Sequence, residues 1–197
     1  MPKLVLITGA PCSGKTETME LLQKLKGFNS GSKIYLVPEA PTYLCGGERP
    51  LHSKPSPSDL EAVKIFDQLV YYSRTLSCIQ AREKTEYDYV LFDRGTLDGV
   101  YYSPELLNFV GSSIDEELAR YDAVVLMETL VHSGEYSSEN NLIRTETAEE
   151  AVNIEKNLVS LYGSHPKFFR VYSKHNNLKR ASIVLKFLET LKGQNGN

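Results

Sequence analysis

The chain has 197 residues, a formal net charge of −3, 41% hydrophobic and 24% charged residues. These proportions match an ordinary globular domain and exclude a disordered chain or a small disulfide scaffold. The mildly acidic balance excludes a broad cationic surface, so neither DNA nor RNA is an expected partner.

Three scattered cysteines, Cys12, Cys45 and Cys78, show no CxxC or Cys/His zinc spacing and fit a reducing, cytoplasmic location. No run approaches the ~20 apolar residues of a membrane span. The short apolar stretch at the N-terminus runs directly into a motif and does not read as a cleavable signal. The length suits one domain over residues 1–193, with 194–197 as a frayed tail.

Leu4 to Thr8 is a continuous apolar run, which reads as a strand buried on both faces of a parallel sheet. Met19, Leu22 and Leu25 mark the following helix, and Ile34 to Val37 a second strand. Residues 43–57 are rich in Gly, Pro and Ser without periodicity; a loop of that length is uncommon unless functional or disordered, and it is the candidate acceptor loop. Leu60, Val63, Phe66, Leu69, Val70, Leu76 and Ile79 predict the apolar side of a long helix, which leads into a third strand at Tyr89 to Phe92.

Ser103 before Pro104, Ser113 three residues before Glu116 and Thr147 three before Glu150 signal later helix starts. Ala123 to Met127 and Phe168 to Tyr172 complete five strands. Ala151, Ile154, Leu158 and Leu161 give one helical face; Val184, Phe187, Leu188 and Leu191 give another. Strand and helix alternate throughout, which predicts an α/β, three-layer fold: a five-stranded, mostly parallel sheet with helices on both faces.

Gly9, Ala10, Pro11, Cys12, Ser13, Gly14, Lys15 and Thr16 match GxxxxGK[ST] between a buried strand and an amphipathic helix. Such a P-loop curls so that backbone amides meet phosphate oxygens, and the helix N-terminus favours the anion. Lys15 is expected to bridge the β- and γ-phosphates, and the Thr16 hydroxyl to ligate Mg²⁺. Thr18 is counted with the same cradle. Cys12 reads either as a reactive thiol or as a tolerated small residue.

Ligands of open α/β sheets sit beyond the carboxyl ends of the strands, which singles out Glu39, Asp93 and Asp98. Asp93 reads as a second Mg²⁺ ligand, with a turn-capping role as the alternative. Glu39 reads as an acid that orients an acceptor hydroxyl and takes its proton, or as a surface glutamate. Arg94 and Asp98 are candidate acceptor contacts, and Tyr102 follows them in the same loop. The polar segment 132–147 is a candidate lid, and its Arg144 would neutralise the transferring phosphoryl group, worth factors of ~10³ or more in rate; the alternative is a solvated arginine. The four histidines lack metal-site spacing.

Together ITGAPCSGKT, VPEAPT, FDRGTLDGVYY and NLIRTET resemble the small AAA-domain P-loop NTPases related to the NTPase part of bacterial ribosylnicotinamide kinase. The same motifs resemble the photoreceptor translocation-defect proteins, described as binding GTP and phosphoinositide. The resemblance implies a nucleoside-kinase-like sheet, with Glu39 and Asp93 near the acceptor and metal. No NKxD motif follows the fifth strand, which argues against a Ras-type regulatory GTPase; the nucleoside-kinase architecture makes ATP the expected donor and leaves GTP open.

Two functions follow as expectations. One is an enzyme, a kinase or NTP hydrolase, acting on ATP-Mg²⁺ and a nucleoside-like acceptor. The other is a nucleotide-dependent binding module for a protein or phosphoinositide, the lipid contact resting on Arg49, Lys54, Lys174, Lys179 and Arg180.

Overall fold

A computed structural model of the chain describes residues 1–29, 31–37, 39, 40, 44, 57–134 and 147–192. Five strands form its sheet: β1 (Lys3–Thr8), β2 (Ile34–Val37), β3 (Tyr89–Asp93), β4 (Ala123–Met127) and β5 (Phe168–Val171). They lie in the order β2-β3-β1-β4-β5, and every pairing is parallel. The longer helices are α1 (Lys15–Asn29), α2 (Pro57–Ala81), α5 (Ala148–Tyr162) and α6 (Asn177–Lys192), with two short ones, α3 (Leu106–Val110) and α4 (Ile114–Leu118). Two 3₁₀ turns, Thr96–Tyr101 and Leu130–Ser133, follow β3 and β4.

Alternation along each strand divides the core into two layers. Leu4, Leu6, Val90, Phe92, Val124 and Leu126 face α2 and α5, where Cys78, Ala81, Ala151, Ile154, Leu158 and Tyr162 are buried. Val5, Ile7, Leu91, Val125 and Met127 face α1 and α6, meeting Met19, Leu22, Val184 and Leu188. Each central strand is therefore apolar at successive residues, as a sheet covered on both sides requires.

The expected starts at Ser113 and Thr147 are present as capping boxes: Ser113 accepts from Glu116 N, and Thr147 from Glu150 N. Ser103 does not cap a helix. Its backbone carbonyl accepts from Leu106 N, so α3 begins three residues later, after Glu105.

Helix α2 departs further from expectation. It buries Phe66, Val70, Tyr71, Cys78 and Ala81, while Leu60, Leu69, Leu76 and Ile79 stand outside. The apolar residues expected on one side are split between two.

Candidate nucleotide and acceptor site

The phosphate loop lies where the direction of chain progression reverses across the sheet, between β3 and β4 on either side of β1. At Gly9 φ is 155°, and an added Cβ would fall 2.3 Å from the Met127 carbonyl oxygen, so only glycine lets the loop leave β1 there. Two bonds from the segment after β4 brace the loop: Leu130 N donates to the Cys12 carbonyl (2.9 Å), and Thr129 Oγ1 to that of Pro11 (3.0 Å). Cys12 itself is buried with φ 55°.

Lys15 turns back over the loop. Its Nζ donates to the carbonyls of Gly9 (2.6 Å) and Ala10 (3.2 Å) and to Ser13 Oγ (3.0 Å). Burial, reinforced by the nearby Arg94, lowers its pKa to about 8 despite Asp93, Glu39 and Asp98. Thr16 is exposed at the start of α1, whereas Thr18 is fully buried with its hydroxyl unpartnered among the described residues.

Strand β3 lies directly beside β1, with Asp93 in register with Ile7. That register brings the carboxyl end of β3 to the mouth of the phosphate loop. Burial raises the Asp93 pKa, against the opposing pull of Lys15 and Arg94, and its Oδ1 is buried with no hydrogen-bond partner among the described residues. An orphaned carboxylate oxygen beside a phosphate cradle is the donor that a hard divalent cation requires. Asp93 therefore fits the Mg²⁺ expected with a triphosphate.

Arg94 continues the turn at φ 69°, a left-handed conformation that is costly for a residue with a side chain. The turn is held from several directions. Arg94 N donates to the Ile7 carbonyl (3.1 Å), Arg94 Nε pairs with Glu39, and its Nη1 lies 3.6 Å from Asp98 Oδ1. Burial alone would favour a neutral Glu39, but Arg94, then Lys15 and Arg74, hold its carboxyl below the usual range.

Asp98 is buried and engaged by the fold itself. It accepts from Thr8 Oγ1 (2.8 Å), Gly95 N (2.9 Å) and the Tyr162 hydroxyl (2.8 Å). Gly95 is packed so tightly under this network that a Cβ would sit 2.4 Å from the Tyr162 hydroxyl. Tyr102 is exposed and meets Tyr101 edge to face at 5.1 Å between ring centroids.

The structure thus brings Lys15, Glu39, Asp93, Arg94 and Asp98 together at the carboxyl ends of β1 and β3. Arg144, Arg49, Lys54 and most of the candidate acceptor loop and lid lie outside the described residues. Arg180, expected in a surface basic patch, is fully buried, and its Nη2 donates to the Glu128 carbonyl (2.7 Å). An arginine spent on fixing the end of β4 offers nothing to a lipid surface. Among the described residues, no helix is long and apolar enough to cross a membrane.

Two further residues complete the site without having stood out in the sequence. Arg74 of α2 is buried and donates to the Gly95 carbonyl (2.9 Å), and Tyr162 of α5 fixes Asp98. The available signal was a charge and a hydroxyl on otherwise apolar helix faces.

A separate cluster supports the loop from the β4 side. Glu155 accepts from Thr129 N (2.6 Å) and from Arg170 (2.6 Å), and Arg170 also bonds Glu128 (2.9 Å). Glu128, His132 and Glu155 offer ligand atoms within 4.8 Å of one another, with Arg170 already bonded to both carboxylates.

No curated protein matches the chain as a relative. The family model described as an AAA domain matches residues 4–176, which include the phosphate loop, all five strands and the Asp93–Asp98 turn. The chain belongs to this AAA-domain family of nucleotide-binding P-loop proteins.

Proposed function

We propose that the protein is a kinase that transfers the γ-phosphoryl group of ATP to a hydroxyl of a small, nucleoside-like acceptor. The observation that supports this reading is the Glu39–Arg94 pair, which lies beside Asp93 and Lys15. Triphosphate binding alone requires the loop, Lys15 and a metal ligand; it requires no carboxylate and guanidinium across from them.

The roles divide by position. The loop amides and Lys15 hold the phosphates, Lys15 exchanging the Gly9 and Ala10 carbonyls for phosphate oxygens. Thr16 and Asp93 would hold Mg²⁺, which when bound neutralises charge on the β- and γ-phosphates. Glu39, kept ionised by Arg94, orients the acceptor hydroxyl and takes its proton as the hydroxyl oxygen bonds the γ-phosphorus and ADP leaves. Arg94 grips the acceptor or the phosphoryl oxygens, and Asp98 with Tyr162 keeps its turn in place. Tyr102, near enough to Arg94 to act on its charge, is assigned to the same mouth. The resemblance to the NTPase part of ribosylnicotinamide kinase agrees with a nucleoside-like acceptor.

The test is mass spectrometry of a pool of nucleosides, nucleotides and ribosylnicotinamide incubated with the protein and ATP-Mg²⁺ or GTP-Mg²⁺. One acceptor should gain a phosphoryl group, and Glu39→Gln should lose that product while still binding nucleotide. If nucleotide binds and no acceptor is phosphorylated, the kinase reading fails and a nucleotide-switched binding protein takes its place.

A further inference from the structure

Helix α2 is apolar on two sides, and among the described residues the fold of one chain covers only one of them. Phe66, Val70 and Cys78 pack inward, while Ile65, Leu69, Tyr72, Leu76 and Ile79 each remain 51–58% exposed. A helix that is apolar all round is normally buried all round.

The exposed residues follow one another at intervals of four, three, four and three, with Ala62 extending the series backwards. The mean spacing is that of a coiled-coil seam, not of a straight helix resting on a sheet. From Ala62 to Ile79 the seam runs about 25 Å.

We propose that α2 is the seam of a two-fold homodimer, in which it packs antiparallel against α2 of a second copy. A two-fold interface needs a surface complementary to itself, and a heptad seam is such a surface. Centred between Leu69 and Tyr72, the antiparallel arrangement sets Ile65 beside Leu76 of the partner subunit and Leu69 beside Tyr72 of the partner subunit.

Charge selects the direction. The exposed flanking positions include Glu61 at one end and Arg82 just beyond the other. Antiparallel packing brings Glu61 to Arg82 of the partner subunit, twice by symmetry; parallel packing leaves both without an opposite charge across the seam.

Area is consistent as well. Side chains of this size expose on the order of 150–200 Å² each when free, so five half-open ones offer roughly 400–500 Å² per copy. With the flanking positions this approaches the ~800 Å² per partner of a standard interface. Residues 45–56 and 135–146, the long segments outside the described residues, contain only Leu51, Leu142 and Ile143 as aliphatic residues and carry no matching seam.

Sedimentation equilibrium of the full chain over a wide concentration range tests the proposal. The wild type should reach twice the chain mass, and Leu69→Lys/Leu76→Lys should remain at the single-chain mass with an unchanged circular-dichroism spectrum. Glu61→Arg should weaken the dimer about tenfold by opposing arginines, and adding Arg82→Glu should restore it. A wild type that stays monomeric throughout, a dimer indifferent to the double lysine variant, or a charge swap without restoration overturns the proposal. The charge variants alter only exposed side chains, so the test stands even if the lysine variant misfolds.

Discussion

Replacing Lys15 with methionine is expected to abolish nucleotide binding and also to stabilise the nucleotide-free protein. The side chain is buried, and burial together with Arg94 brings its pKa from 10.5 to about 8. Near neutral pH the protonated amine is thus held against its preference, by roughly 3 kcal/mol. Methionine keeps the apolar stem but leaves the Gly9 and Ala10 carbonyls and Ser13 Oγ without their donor, which offsets about 1–2 kcal/mol. A net gain of about 1–2 kcal/mol follows.

The gain depends on pH in a defined direction. The folded-state value lies below the unfolded one, so the cost of Lys15 is fully present below about 8 and disappears as pH rises to 10.5. By the same arithmetic the two proteins should cross within that window, the variant ending less stable by the about 1–2 kcal/mol of its lost hydrogen bonds. Urea unfolding at neutral and alkaline pH, with and without ATP-Mg²⁺, measures all of this. Ligand at 100 times its dissociation constant should add about 2.7 kcal/mol to the wild type and nothing to the variant. A variant less stable than wild type at neutral pH without nucleotide, or one still stabilised by ATP-Mg²⁺, refutes the reasoning.

Tyr162→Phe removes the hydroxyl that donates to Asp98 and accepts from Leu97 N (3.1 Å), and should cost about 1–3 kcal/mol in a thermal or urea melt. Because Tyr162 acts through the Arg94 turn, turnover should fall while nucleotide affinity by calorimetry holds; a variant that loses affinity instead contradicts the placement. Glu117 is buried, yet Arg120, Ser112 and Tyr71 bring its pKa down to about 2 from 4.5. Its contribution is present above 4.5 and is lost as pH falls towards 2, amounting to at most about 3 kcal/mol. Glu117→Gln should therefore be less stable at neutral pH and lose less stability on acidification through that window; equal slopes in an acid unfolding series would refute this.

The fold was legible because its signals are local. Doubly buried strands such as Leu4 to Thr8 read as continuous apolar runs, and the capping boxes at Ser113 and Thr147 are closed by residues three positions apart. Glycine, lysine and threonine at fixed spacing after a strand marked the phosphate loop in the same way. Ser103 misled because a serine before Pro-Glu carries the cap signature whether or not the chain turns once more before the helix.

What the sequence left obscure is relational. Asp98 looks like a strand-end acid, and only the approach of Thr8, Gly95 and Tyr162 shows its oxygens turned into the fold. Arg180 sits in the basic stretch SKHNNLKR, and only the three-dimensional path of β4 shows that it serves the Glu128 carbonyl. For α2, apolar residues at helical spacing cannot declare which of two sides the sheet will cover; Leu69 and Leu76 read as core for that reason.

The most direct test of the account is whether nucleotide turnover depends on an acceptor. ADP formation from ATP-Mg²⁺ should be slow with the protein alone and rise by at least ~10²-fold when the right nucleoside-like hydroxyl is supplied, with Glu39→Gln abolishing the rise. An ADP rate that is the same with and without every acceptor, in a protein that binds ATP, would contradict it.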